Sequence, residues 1–150
     1  MARFVYSLQN VLDIKLKMET QAKQEFSAMK SALDEENEKL EALLARKRFY
    51  EQEAKRLRQG ALQVLELEAN QNALFVMDGY IDEQKARVRQ AEKRLEEARE
   101  KLSEVMKERK IQETLKEKAF EEFLREENRA ESKVVDELTS YTYGQKRRVN

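Results

Sequence analysis

The chain has 150 residues, the size of one ordinary domain, and 40% of them are charged. Its 30 basic and 30 acidic residues cancel, which excludes the strongly basic profile of a domain built to hold nucleic-acid phosphates. Cysteine, histidine, tryptophan and proline are all absent, so disulfides, thiol chemistry and the commonest general base and metal ligand are excluded as well.

Disorder needs low hydrophobicity together with a high net charge, and only the first half of that description fits. Alternating charge around a regular apolar stripe is the composition of a coiled coil. The opening Met1-Ala2-Arg3-Phe4-Val5-Tyr6-Ser7-Leu8 lacks the apolar run of a signal peptide. No stretch approaches the ~20 apolar residues of a membrane span. A soluble, cytoplasmic chain without direct membrane insertion is therefore expected.

The first helix is predicted over about 7–57, with Ser7 as its N-cap. Its stripe runs through Leu8, Leu12, Ala22, Phe26, Met29, Leu33, Leu40, Leu43, Tyr50, Ala54 and Leu57. Glu19→Lys23 and Glu51→Lys55 are i,i+4 pairs that support the exposed faces, each by about 0.2–0.5 kcal/mol. Gly60 is the natural stop, so a turn is predicted over about 58–61.

The second helix is predicted over about 62–139. Leu74, Met77, Ile81, Gln84, Val88, Ala91, Leu95, Ala98, Leu102 and Val105 alternate steps of three and four along it, the spacing that keeps one narrow stripe facing a partner helix. Asp78-Gly79 is a possible break, because an interior glycine costs about 1 kcal/mol against alanine. Met77 and Ile81 stay in phase across it, which favours continuity.

If the chain folds back at Gly60, opposed residues have numbers summing to about 120. That sets Ala22 against Ala98, Met18 against Leu102, Met29 against Ala91 and Leu43 against Met77. The first helix then ends opposite about Lys116, and everything from Lys118 onward overhangs, leaving Ala119, Phe120, Phe123 and Leu124 without a partner inside the chain. A disordered basic tail is predicted over about 144–150, around Lys146-Arg147-Arg148. The expected fold is all-α: one coiled-coil domain over 1–150, an antiparallel two-helix coiled-coil hairpin with an overhanging C-terminal helix.

Acidic pairs such as Glu35-Glu36, Glu96-Glu97 and Glu121-Glu122 read as solvated helix surface, since neighbours on a helix do not converge on one point. A di-iron site needs Glu-x-x-His motifs that the sequence does not contain. No phosphate loop or nucleophile constellation is present. No enzyme activity, cofactor or metal is expected, and the catalytic, cofactor and metal residue sets are empty. Basic runs such as Arg46-Lys47-Arg48 are flanked by acids, so no nucleic-acid partner is expected. A basic tail of three charges is a weak membrane signal.

Two regions exceed a bland reading. At the hairpin tip Leu43, Phe49, Tyr50, Phe75, Met77 and Tyr80 are more large side chains than a two-helix seam covers, and in the overhang Phe120 and Phe123 stand unpaired.

The opening Phe4-Val5-Tyr6-Ser7-Leu8-Gln9-Asn10-Val11-Leu12 with Lys15 resembles the start of the flagellar export protein FliJ family. So do Glu117-Lys118-Ala119-Phe120-Glu121-Glu122-Phe123, Glu131-Ser132-Lys133 and Asp136-Glu137-Leu138. The likeness covers essentially the whole chain. It implies a non-enzymatic component of the flagellar type III export apparatus, similar to the coiled-coil γ-subunit stalk of rotary ATPases. The partners it implies are the flagellar export ATPase hexamer, the cytoplasmic domain of the export gate protein FlhA and export chaperones. The implied location is the cytoplasmic face of the cell membrane at the flagellar base. By that resemblance Phe4, Leu8, Phe120, Phe123, Glu131, Asp136 and Glu137 form the ATPase-facing end, and Leu43, Tyr50, Met77, Tyr80 and Gln84 the gate-facing surface near the tip. Arg46 and Ala73 stand where some relatives carry an aromatic. The other functions weighed for such a chain are an export chaperone or escort without a ring-coupling role, and a homodimeric structural coiled coil.

Overall fold

The computed structural model describes residues 2–61 and 63–149, the last three by backbone alone. Two helices account for nearly all of them: α1 over Gln9–Gln59, 51 residues, and α2 over Val64–Val149, 86 residues. No proline interrupts either helix, and Arg56 and Arg58 in the last turn of α1 suit its dipole. Helix α2 passes through Asp78-Gly79 without a break. One glycine among strong helix formers costs too little to interrupt seam packing on both sides of it.

Helix α1 begins two residues later than Ser7. Residues 7–8 form a turn, with the Gln9 N–H donating to the Tyr6 carbonyl and the Leu12 N–H to the Leu8 carbonyl, both at 3.1 Å. Leu8 is therefore at the mouth of the helix and 43% exposed, not in the seam, while Tyr6 from the preceding segment is buried.

At the other end, the stretch expected to be a disordered tail continues α2 as far as the described backbone runs. Nothing there breaks a helix, and i,i+4 bonds support it: Thr142 Oγ1 donates to the Leu138 carbonyl at 2.9 Å, and Gln145 Nε2 donates to the Tyr141 hydroxyl at 2.8 Å.

The chain divides into two compact units, Thr20–Glu104 and Met1–Glu19 with Val105–Asn150. In each unit the two helices pack against each other antiparallel. The Thr20–Glu104 unit buries Ala22, Ala54, Met77, Ile81, Val88, Ala91 and Ala98 along its seam. Phe26, Met29, Leu33, Leu40, Leu43, Tyr50 and Leu57 are half-buried, as a seam with only one partner helix requires. Among the described residues no large side chain is fully enclosed.

Register in this unit is held by two buried amides. Gln84, 4% exposed, donates from Nε2 to the Glu36 carbonyl at 2.9 Å and also to the Glu36 carboxylate. Asn70 donates from Nδ2 to the Tyr50 carbonyl at 3.0 Å. Each amide uses the spare lone pair of a carbonyl on the facing helix, so a slip along the seam would strand a buried donor. Both pairs sum to the expected 120. Flanking ion pairs follow the same direction: Lys47–Asp78 at 2.8 Å and Lys101–Glu25 at 3.2 Å. The hydrogen bond to Asp78 holds the Lys47 ammonium above its ordinary value.

The Gln84 donor and its side-chain volume are separable by mutation. Gln84→Ala is expected to cost about 1–2 kcal/mol through the lost hydrogen bonds and packing, and Gln84→Leu distinctly less in urea-induced unfolding. Equal costs for the two variants would show that the bonds to Glu36 outweigh the packing.

Candidate interaction surfaces

In the unit built from Met1–Glu19 and Val105–Asn150, the segment ahead of α1 is not helical. Non-helical chain advances up to about 3.3 Å per residue against 1.5 Å in a helix, so few residues reach far along α2. Alternate side chains in Phe4-Val5-Tyr6 take opposite sides: Phe4 is half-buried, Val5 78% exposed and Tyr6 buried. The Tyr6 hydroxyl donates to Gln112 Oε1 at 3.3 Å.

The Phe4 ring lies 5.2 Å from Phe120, edge to face, and 5.4 Å from Phe123. Phe120 and Phe123 are themselves 6.4 Å apart. Phe120 and Phe123 thus have an internal partner, contrary to the expected overhang from Lys118. An i,i+3 aromatic pair on α2 is clamped by one ring from the N-terminal segment, and the free part of α2 starts beyond it. The aromatic–aliphatic–aromatic alternation of residues 4–6, ahead of the predicted helix, is the signal for this.

Glu19 occupies a seam position in the same unit and is buried at 7% exposure. Met18, expected there, is turned outward at 37% exposure. Arg109 Nε donates to Glu19 at 2.7 Å, and Arg109 Nη1 donates to Glu113 at 2.8 Å. These bonds, the one to Glu19 foremost, hold the guanidinium above its ordinary value. A raised cation pKa supplies stability that is fully present below the ordinary guanidinium value and lost only above it, so Arg109 adds no pH dependence between neutrality and mild base. Lys15–Glu108 at 2.7 Å crosses the same two helices.

Past the clamp, every described side chain from Asn128 to Lys146 is exposed, including Glu131, Asp136 and Glu137. Val134, Leu138 and Tyr141 lie along one side of this helix at 54–66% exposure. Phe4, Phe120 and Phe123 are therefore brought together, Leu8 is at the helix mouth, and the three acids stand on the free helix.

The residues expected to face the gate are divided differently. Met77 and Gln84 are buried in the seam of the Thr20–Glu104 unit, Leu43 and Tyr50 are half-buried, and only Tyr80, at 53%, is open. The exposed apolar surface of that unit is instead carried by Phe49, Leu65, Phe75 and Val76, with Leu65 and Phe75 both 81% exposed. Phe49 stacks edge to face on Tyr50 at 5.8 Å, continuing the half-buried patch outward. No helix among the described residues is long and apolar enough to cross a membrane.

Two variants separate the parts of the clamped unit. Removing the Phe4 ring is expected to cost about 1–3 kcal/mol locally, for two lost aromatic contacts. Hydrogen exchange at the first turn of α1 should report this for Phe4→Ala, while the Thr20–Glu104 unit is unchanged. Glu19→Ala leaves the partly buried Arg109 without its main partner and is expected to lower the melting temperature more than Glu108→Ala, whose ion pair is exposed. Differential scanning calorimetry of the two variants checks the ranking.

The sequence profile of the family described as flagellar FliJ protein matches residues 4–148. No curated protein and no solved structure matches the chain.

Proposed function

This chain belongs to the flagellar FliJ protein family and so has a role in flagellar protein export; we propose that within the export apparatus it is a non-catalytic, stalk-like coupler. It binds the hexameric export ATPase, promotes assembly and ATP hydrolysis there, and links the ATPase to the export gate at the membrane face. The observation that carries this reading is the free part of α2: a single helix, exposed all round, projecting from a unit that an aromatic clamp stiffens at its base. With its side chains a helix is about 10–12 Å across, a width suited to the central opening of a ring.

Coupling needs no chemistry from the chain. A helix with Phe120 and Phe123 at its root and Glu131, Asp136 and Glu137 along it contacts successive ring states differently. Any difference in contact energy biases which state is populated. The clamp matters because a loosely held helix would absorb that bias as its own motion.

The gate contact belongs to the other unit. There Tyr80, Leu43 and Tyr50, with the more exposed Phe49 and Phe75, form the footprint on the cytoplasmic domain of FlhA. Met77 and Gln84 contribute by holding the helices in register. The same exposed apolar surface also favours a second reading, an escort that takes export chaperones or unfolded flagellar subunits.

The test is ATP hydrolysis by the cognate export ATPase titrated with this chain. Stimulation should saturate near one chain per hexamer. Phe120→Ala combined with Phe123→Ala should raise the half-maximal concentration about tenfold, a loss of ~1.4 kcal/mol, whereas Tyr80→Ala should leave stimulation intact and weaken capture of the FlhA domain. No stimulation by the unaltered chain at any ratio, with retained binding to chaperones, would sink the coupler and leave the escort.

A further inference from the structure

The free part of α2 carries a pattern that neither partner contact explains. Val134, Leu138 and Tyr141 form an apolar stripe on a helix with no second helix beside it. The stripe continues, through the half-buried Glu127, the line on which Phe120 and Phe123 meet Phe4. Charge along the same stretch is sharply divided. Residues 121–137 contain seven acidic and three basic residues, while 138–149 contain three basic residues and no acid.

We propose that this segment pairs antiparallel with the same segment of a second copy of the chain, centred on Val134. In that register Val134 lies level with Val134 of the other copy, Leu138 with Ala130, and Tyr141 with Glu127. The basic end then runs beside the acidic root, with Lys146 level with Glu122, twice in each dimer by symmetry. A parallel pairing places basic end on basic end and acidic stretch on acidic stretch, which repels along its whole length. Antiparallel pairing thus completes the stripe and neutralises both ends together. The apolar contact is short, so the dimer is reversible and salt-sensitive. It occupies the helix that ring entry needs, so the two associations exclude each other. The dimer itself stands on this chain alone; only its competition with ring entry rests on the coupler reading.

The chain has no cysteine, which allows a direct test with the full-length protein. Glu127→Cys and Tyr141→Cys chains are prepared separately and oxidised alone and as a mixture, alongside sedimentation velocity of the unaltered chain over a range of concentrations at low and high salt. A concentration-dependent dimer weakened by salt, with a disulfide forming preferentially in the mixture, supports the proposal. Val134→Asp with Leu138→Asp should return the chain to a monomer while circular dichroism keeps its helix content. A disulfide within each single-variant sample with no 127–141 cross-link in the mixture would mean parallel pairing and overturn it. So would a monomer at every concentration, or a dimer indifferent to the Val134 and Leu138 changes.

Discussion

A helix that packs against a single partner can bury only one narrow stripe, and everything else about this protein follows from that constraint. Among the described residues no third element covers a second face, so most seam residues end half-buried and none of the large ones is enclosed. Area-proportional hydrophobic stabilisation is correspondingly thin for the length of helix it must support. Specific polar contacts across the seam then matter more than they would in a thick core. Gln84, Asn70 and the Glu19–Arg109 pair sit at or beside buried seam positions and tie one helix to the other.

The same thinness explains the aromatic clamp. Where α1 ends its N-terminal coverage, α2 would continue alone, and an isolated helix is only marginally stable in water. Phe4 extends the two-element packing past the start of α1 by using non-helical backbone, which reaches further per residue. The two rings it meets are spaced to receive it: positions 120 and 123 lie on one face of α2. One unit carries an exposed stretch of helix beyond its aromatic cluster; the other carries apolar side chains that its seam leaves open.

Much of this was legible in the sequence. The three-four spacing from Leu74 to Val105, the break at Gly60 and the register near 120 all correspond to observed helices and contacts. Periodicity is a local property and survives without knowledge of the partner. The errors fall where two local rules compete. Leu8 was expected in the seam of a helix starting at Ser7, whereas residues 4–6 ahead of that helix alternate with period two and Tyr6 is buried instead. Likewise Met18 is the more apolar residue, but Glu19 lies nearer the seam axis and Arg109 is there to pair with it. The polar C-terminal stretch was read as disordered because it has few apolar residues, yet it contains no helix breaker stronger than Gly144.

By itself, the sequence determined that the chain is all-α, where its two helices divide and which family it belongs to. These depend on composition, spacing and short motifs, all of which are properties of neighbours along the chain. Only the tertiary structure decided that Met77 and Gln84 are seam while Phe75 and Tyr80 are surface, and that Phe4 closes over Phe120 and Phe123. Those outcomes depend on which side of each helix its partner occupies, and on contacts between residues more than a hundred positions apart.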